Sequence, residues 1–187
     1  MNRRLTVPAV IVGTAAIVSA VVSVPRLFVW NVTPSVPTGL YRIDEAANLR
    51  TGDRIVFDPP PRLARMLAER GYLPRGVPLL KEVAAVPGDR VCRRGPAISV
   101  NGTSVGTARD VDSLNRPMPD WQGCLVLPAD RIFLMNLSVP DSFDGRYFGP
   151  VERGRIIGRA IPIWTQEPVK PGATPSERSD AQILPPT

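Results

Sequence analysis

The chain has 187 residues, of which 43% are hydrophobic and 21% charged, and its formal net charge is +6. This length supports one modest domain with a hydrophobic core. The absence of histidine and the presence of only two cysteines exclude a Ser-His-Asp triad, a His-ligated metal and a four-thiolate zinc site. We therefore expect no metal and no cofactor. The 22 prolines and 15 glycines favour short strands and turns over a helical bundle.

The N-terminal segment has the pattern of a membrane anchor. Residues 5–24 carry no charge, and 20 helical residues span about 30 Å, the thickness of a bilayer core. Arg3 and Arg4 favour a cytoplasmic N-terminus, and Phe28 and Trp30 are typical of an interfacial anchor. A cleaved signal peptide is the alternative, although its apolar region is usually shorter, about 7–15 residues. We expect residues 1–30 to form a single-pass anchor in a bacterial inner membrane, with the remaining chain in the periplasm.

Residues 31–164 are predicted to form one mainly β domain. One helix is expected at residues 62–70, and Asn101-Gly102 is a typical two-residue hairpin turn. The Pro-rich residues 165–187 are expected to be disordered. No block of like charge is long enough for a nucleic-acid arm, so no nucleic acid is expected as a partner.

The predicted strands recur between turn signals at residues 39–43, 54–57, 77–86, 90–92, 97–100, 124–127, 132–136 and 156–163.

The two cysteines, Cys92 and Cys124, suggest a disulfide bond. Export to an oxidising compartment favours such a bond. The alternative is a pair of buried, unpaired thiols.

Lys81 is a candidate general base. Only two of the 23 basic residues are lysines. Lys81 lies in an apolar run, and in a β-strand its side chain would be on the same face as those of Leu79 and Val83. Burial among aliphatic side chains lowers the pKa of an ammonium, and a neutral amine can accept a proton. Arginine cannot do so because its guanidinium stays protonated. A snorkelling or salt-bridged lysine is the alternative.

Ser35 is a candidate nucleophile just beyond the predicted anchor. Pro34 and Pro37 flank it and restrict the backbone, which can fix the direction of the hydroxyl. Thr33, two residues upstream, could lend a second hydroxyl. The alternative is a plain Pro-rich linker.

A polar loop at residues 136–149 holds Ser142, Asp144 and Arg146 between apolar segments. These residues could support a base and a nucleophile. Alternatively, they form an Asx-turn loop with an ordinary Asp144–Arg146 ion pair.

Together, three motifs in this order resemble the membrane-bound Ser/Lys signal peptidases. They are Ser-x-Pro-x-Gly after an anchor, Leu-Leu-Lys-x-Val-x-Ala-Val-Pro-Gly-Asp, and Asp-Ser-x-Asp-Gly-Arg-Tyr-Phe-Gly. The likeness is closer to the TraF branch, the pilin-maturation peptidases of conjugative transfer, because of Pro-Ser-Val-Pro-Thr-Gly-Leu-Tyr, Arg-Gly-Tyr-Leu-Pro, Pro-Asp-Trp-Gln-Gly-Cys and the cysteine pair. The resemblance covers residues 31–164.

The resemblance implies a signal-peptidase-like antiparallel β domain behind one N-terminal transmembrane helix. It also implies a role for each candidate residue. Ser35 would be the nucleophile, Lys81 the base and Asp144 the acidic partner. Ser142 would orient the lysine, and Arg146 would form an ion pair with Asp144. The Thr33 hydroxyl and the backbone N–H of Ser35 would form the oxyanion hole.

The resemblance further implies a serine endopeptidase that cleaves a membrane-tethered pilin precursor at the bilayer surface. Water would resolve the acyl-enzyme to a linear product, or the substrate's own N-terminus would resolve it to a cyclic one; the sequence does not choose between them. Two alternatives remain. One is a general signal peptidase I acting on secreted preproteins, and the other is a non-enzymatic periplasmic component of a secretion channel. The sequence predicts no oligomeric state.

Overall fold

The computed structural model describes residues 27–166, which form eleven strands and two short helices. A 3-10 turn at Arg153–Arg155 precedes the last strand. The elements are β1 (Phe28–Asn31), β2 (Thr38–Asp44), β3 (Arg54–Phe57), α1 (Pro61–Glu69), β4 (Leu79–Ala85), β5 (Arg90–Arg94), β6 (Ala97–Val100), β7 (Thr103–Thr107), β8 (Gly123–Val126), β9 (Arg131–Leu134), α2 (Gly145–Phe148), β10 (Val151–Glu152) and β11 (Ile156–Gln166).

The strands form two antiparallel sheets. The larger sheet has seven described strands in the order β1-β2-β11-β3-β4-β9-β10. Its longest strand, β11, pairs with both β2 and β3, and its register shifts between Pro162 and Trp164. A bulge is where a strand tolerates a proline, which cannot donate to the ladder. The mainly antiparallel β class predicted from the sequence is confirmed.

The smaller sheet has four described strands in the order β7-β6-β5-β8. The predicted hairpin joins β6 to β7 through Asn101 and Gly102, which both have positive φ angles, as the twist of a tight hairpin requires. Cys92 on β5 lies directly opposite Cys124 on β8, and the two are joined by a disulfide bond. The predicted disulfide is therefore confirmed, and the alternative of two unpaired thiols is wrong.

The main core lies where α1 packs on the larger sheet. The prolines before α1 suit a helix start, and Leu67 on its inner face is 1% exposed. Leu67 packs with Ile55 of β3 and Val83 of β4, so the helix holds the middle of β4 in place. The predicted helix at residues 62–70 is confirmed, with its start one residue earlier.

The structure differs from the sequence-based expectations at three places. A strand not predicted from the sequence begins at Phe28 and pairs with β2, so Phe28 and Trp30 form part of a folded hairpin. The last strand continues to Gln166, three residues past the strand predicted at residues 156–163. The polar loop contains the short helix α2, which no periodicity in the sequence indicated.

No helix within residues 27–166 is long and apolar enough to cross a membrane. The predicted anchor at residues 5–24 and most of the predicted tail lie outside the described residues, and both stay predictions.

Candidate active site

Ser35 lies in the turn that connects β1 to β2 and is half-buried. The next residue, Val36, is 3% exposed and packs with Tyr41 and Leu80 in a small apolar cluster. The Tyr41 hydroxyl donates a hydrogen bond to the Pro37 carbonyl oxygen at 2.6 Å. The turn that carries Ser35 is thus fastened to the sheet on its C-terminal side.

The strand after this turn also passes very close to β11. Gly39 has φ of 137°, and a Cβ atom there would overlap the carbonyl oxygen of Trp164. Only glycine combines this backbone conformation with so close an approach. The Ser-x-Pro-x-Gly pattern therefore has a structural reason for its glycine.

Lys81 lies in the middle of β4 and is 3% exposed. Its Nζ donates a hydrogen bond to Ser142 Oγ at 2.9 Å. Burial lowers the pKa of the Lys81 ammonium from its ordinary 10.5 to about 8; the charge of Asp144 opposes this shift, and that of Arg146 adds to it. A buried amine held by a hydroxyl is what proton transfer near neutral pH requires.

Ser142 is itself held in place. It is 3% exposed, and its Oγ also accepts a hydrogen bond from Asn136 Nδ2 at 3.3 Å. Asn136 Oδ1 in turn accepts from the backbone N–H of Glu82, the neighbour of Lys81, at 3.1 Å. The lysine and the serine that holds it are therefore linked through one asparagine.

Asp144 is fully buried and begins α2. Its carboxylate accepts hydrogen bonds from the backbone N–H groups of Arg146 and Asn136, both at 3.1 Å. Burial raises the pKa of the Asp144 carboxyl, while the positive charges of Arg146 and Lys81 oppose that shift. The carboxyl is thus surrounded by donors and by the two cations of the site.

Arg146 is 1% exposed and fixes the polar loop from within. Its Nη1 donates to the carbonyl oxygens of Val139 and Pro140 at 3.0 and 2.7 Å, and its Nη2 donates to that of Asn136 at 3.0 Å. Its Nε lies 3.6 Å from Asp144 Oδ1. A planar guanidinium suits this set of acceptors, because a lysine has no comparable fork of donors.

The helix carrying Arg146 packs without a gap against the sheet. A Cβ at Gly145 would come within 2.5 Å of the Leu134 carbonyl oxygen and 2.6 Å of the Phe133 ring. Only a residue without a side chain allows this distance. Trp121 Nε1 also donates to the Gly145 carbonyl oxygen at 2.9 Å, which fixes the start of the helix.

Ser35, Lys81 and Ser142 line one cavity with a volume of about 500 Å³. Most of its other walls are apolar, including Tyr72 and Phe143. The structure thus places Ser35, Lys81 and Ser142 on one concave surface, and their catalytic roles stay predictions. Within residues 27–166, no three His, Cys, Asp or Glu side chains group closely enough to hold a metal ion.

Thr33, Asp144 and Arg146 take different positions around this surface. Thr33 lines the cavity, but its hydroxyl is hydrogen-bonded to Asn31 Oδ1 at 2.8 Å. Asp144 and Arg146 lie behind Ser142, in the interior.

Two buried asparagines, Asn31 and Asn136, were missed as site residues. Each is less than 10% exposed, and each binds the backbone next to a candidate residue. Their only signal in the sequence was an Asn-x-Ser/Thr pattern, which carries no information about such hydrogen bonds.

Comparison with known proteins defines the class. The family model of the signal peptidases, peptidase S26, matches residues 2–165, so this chain belongs to that family. Membership implies serine peptidase activity, and the resemblance seen in the motifs is confirmed.

Individual relatives include proteins named for conjugation. The conjugal transfer protein TraF of Agrobacterium tumefaciens (strain 15955) is 36% identical over 175 residues, which cover 83% of this chain and 94% of that protein. The plasmid transfer protein TraF of Escherichia coli is 33% identical, covering 87% of this chain and 97% of that protein. Signal peptidase I of Leptolyngbya laminosa is 30% identical, covering 60% of this chain and 51% of that protein. A solved signal peptidase I from Enterococcus faecalis V583 is 22% identical, with a TM-score of 0.36, covering 60% of this chain and 96% of that one.

Proposed function

We propose that this protein is a membrane-anchored serine endopeptidase that cleaves a membrane-tethered pilin precursor during conjugative transfer. The family supports peptidase chemistry, and the names of the TraF relatives support the setting. The observation that carries the mechanism is the buried Lys81, which lines the same cavity as Ser35 and has a lowered pKa.

The lowered pKa matters because only a neutral amine can act as a base. With an ordinary pKa, about one lysine in 3,000 is neutral at pH 7. With a pKa of about 8, about one Lys81 in ten is neutral at that pH. Burial thus increases the active fraction roughly 300-fold.

In the proposed reaction, the neutral Lys81 amine removes the proton of the Ser35 hydroxyl. Ser35 Oγ attacks the scissile carbonyl carbon, and the backbone N–H of Ser35 stabilises the oxyanion. As the peptide C–N bond breaks, the Lys81 ammonium returns its proton to the leaving amine. Attack on the ester by water gives a linear product, and attack by the substrate's own N-terminal amine gives a cyclic one.

The supporting residues keep the base in place. Ser142 holds the amine through the 2.9 Å hydrogen bond, and Asn136 holds Ser142. The charge of Asp144 limits the fall of the Lys81 pKa, whereas that of Arg146 deepens it. Burial is the main cause of the lowered pKa of Lys81, and these two buried charges act on it in opposite directions.

The position of Ser35 fits a substrate held in the membrane. It follows the predicted anchor, residues 1–30, by five residues, which would keep the reaction near the periplasmic bilayer surface. The mostly apolar walls of the cavity suit the apolar end of a transmembrane precursor.

The test compares Lys81→Arg with wild type in the full-length protein in detergent, using cleavage of a pilin precursor as the readout. We expect Lys81→Arg and Ser35→Ala to lose processing while retaining the melting transition of a folded domain, because arginine keeps the charge but not the ability to lose a proton. Lys170→Arg, which changes the other lysine of the chain, and Ser104→Ala, on exposed β7, are the matched controls. Turnover by Lys81→Arg would show that the base is another group.

A general signal peptidase is the second candidate, because a signal peptidase I is among the relatives. Presenting the enzyme with a pilin precursor and an unrelated secreted preprotein separates the two. Equal rates of cleavage would favour the general enzyme over the pilin-specific one.

A non-enzymatic component of a secretion channel is the remaining alternative. In that case, the Ser35→Ala protein would support plasmid transfer as well as the wild-type protein does.

A further inference from the structure

We propose that Asn31 is the positioning residue of the nucleophile turn, and that the Thr33 hydroxyl serves Asn31 rather than the oxyanion. This rests on the proposed function, in which Ser35 is the nucleophile. Asn31 ends β1, is 7% exposed, and lies four residues before Ser35.

The amide nitrogen of Asn31 binds three backbone carbonyl groups of the turn. Its Nδ2 lies within hydrogen-bond distance of the carbonyl oxygens of Thr33 at 2.8 Å, Val36 at 3.1 Å and Pro37 at 3.1 Å, so its two N–H groups are shared among three acceptors. These residues stand on both sides of Ser35. One side chain therefore fixes the backbone before and after the nucleophile.

The amide oxygen of Asn31 fixes the start of the same turn. Asn31 Oδ1 accepts from the backbone N–H of Thr33 at 3.1 Å and from Thr33 Oγ1 at 2.8 Å. An amide oxygen can only accept, so the Thr33 hydroxyl must be the donor in this contact. Its single proton is then directed at Asn31, and what it presents elsewhere are lone pairs, which repel a developing oxyanion.

Asparagine is well matched to this position because the turn needs donors and an acceptor from one short side chain. Aspartate would keep the acceptor but would place a carboxylate against three carbonyl oxygens. Serine would be too short to reach both Thr33 and Pro37. The consequence is kinetic, because a displacement of a reacting atom by about 1 Å can cost about 100-fold in rate.

The first test measures kcat and KM of Asn31→Ala on the precursor, using the full-length protein in detergent. We expect kcat to fall about 30- to 100-fold while KM changes less than about threefold, because Asn31 is one of many residues that line the cavity and the main effect is a misplaced nucleophile. The rate at which a fluorophosphonate labels Ser35 should fall in parallel. A kcat within about threefold of wild type, or a change confined to KM, would overturn the proposal.

The second test is a double-mutant cycle between Asn31 and Thr33. Thr33→Ser keeps the hydroxyl and should retain most of the activity, whereas Thr33→Val should lower kcat. If the Thr33 hydroxyl acts only through Asn31, adding Thr33→Val to Asn31→Ala should lower kcat no further. Independent, multiplicative losses would show that Thr33 acts on the reaction itself. Thr107→Val, on the exposed strand β7, is the matched control.

Should Asn31→Ala fail to fold, Asn31→Ser replaces it in both tests, because a serine is too short to reach both Thr33 and Pro37. Equal kcat for Thr33→Val and Thr33→Ser would overturn the role given to the Thr33 hydroxyl, and the cycle distinguishes action through Asn31 from action on the oxyanion. Failure of the proposed function itself has a separate signature, since Ser35→Ala would then still process the precursor. If Ser35→Ala is inactive and Asn31→Ala resembles wild type, only the role given to Asn31 is wrong.

Discussion

The two sheets of this molecule are stabilised in different ways. The larger sheet and the loop beside it bury Lys81, Asp144 and Arg146, all at most 3% exposed, around the candidate site. In the smaller sheet, every residue of β8 is exposed and β7 has no buried residue, yet β5 and β8 are joined by a disulfide bond. The larger sheet thus buries the cluster of charges around the candidate site, and a covalent bond reinforces the smaller sheet.

This difference follows from the cost of burying charge. Removing an ion from water costs several kcal/mol, and only a well-packed surrounding with many donors and acceptors compensates for it. The larger sheet supplies such a surrounding through α1, α2 and the backbone carbonyl groups that Arg146 binds. Among its described strands, the smaller sheet buries one charged side chain, that of Arg93 on β5.

One arginine connects the two sheets. Arg93 on β5 is 4% exposed, and its Nη1 donates to the carbonyl oxygen of Arg146 at 2.6 Å. Its Nη2 also lies 3.0 Å from Asp120 Oδ1. The smaller sheet is therefore positioned against the helix that carries the charges of the site.

The largest expected effect is that of removing Arg146. Arg146→Ala leaves the Asp144 carboxylate without its nearest cation and three carbonyl groups without donors, so we expect a loss of about 3–5 kcal/mol in the free energy of unfolding. Urea unfolding of the full-length protein in detergent measures it. Arg94→Ala, an exposed neighbour of Arg93, should change stability by less than about 0.5 kcal/mol. Similar values for both would contradict the stabilisation assigned to the buried Arg146.

Removing the disulfide should cost somewhat less. Cys92 and Cys124 are separated by 32 residues in the sequence, and replacing both by serine opens the loop that their bond closes. For a loop of this length, the chain-entropy relation gives a loss of about 3–4 kcal/mol in the free energy of unfolding. We expect the unfolding midpoint to fall while the pH dependence of activity stays unchanged, because the bond lies outside the cavity. A shift of that pH dependence would show that the smaller sheet controls the charges of the site.

The third prediction concerns the pH dependence of stability. Because the pKa of Lys81 is about 8 when folded and 10.5 when unfolded, the unfolded chain binds more protons between these values. Stability should therefore rise with pH through that window, by about 3 kcal/mol in total. Lys81→Met should lack this rise, and the difference between the two unfolding curves isolates Lys81 from other titrating groups. Parallel curves would contradict the burial argument.

The burial of Lys81 and the turn around Ser35 were predictable because their signals are local. A lone lysine in an apolar run, among almost exclusively arginine cations, indicates burial, and prolines around Ser35 indicate a fixed turn. The disulfide followed from compartment and cysteine count, and the strands from turn residues at regular spacing. These features depend on neighbours in the sequence.

The missed features depend on contacts between distant residues. Asn136 has no local pattern that indicates a hydrogen bond to the backbone of Glu82, 54 residues away. Arg93 was not singled out from the sequence, yet it is 4% exposed and donates to the carbonyl oxygen of Arg146, 53 residues away. The strand β1 was missed because Phe28 and Trp30 follow an apolar segment and share its composition, so only pairing with β2 distinguishes them from it.

The measurement that tests the central claim most directly is the pH dependence of kcat/KM for precursor cleavage. If the neutral Lys81 amine is the base, kcat/KM should rise with pH, with an inflection at about 8, and level off above it. An inflection at the ordinary lysine value of 10.5, or a rate independent of pH between 6 and about 9, would contradict the account.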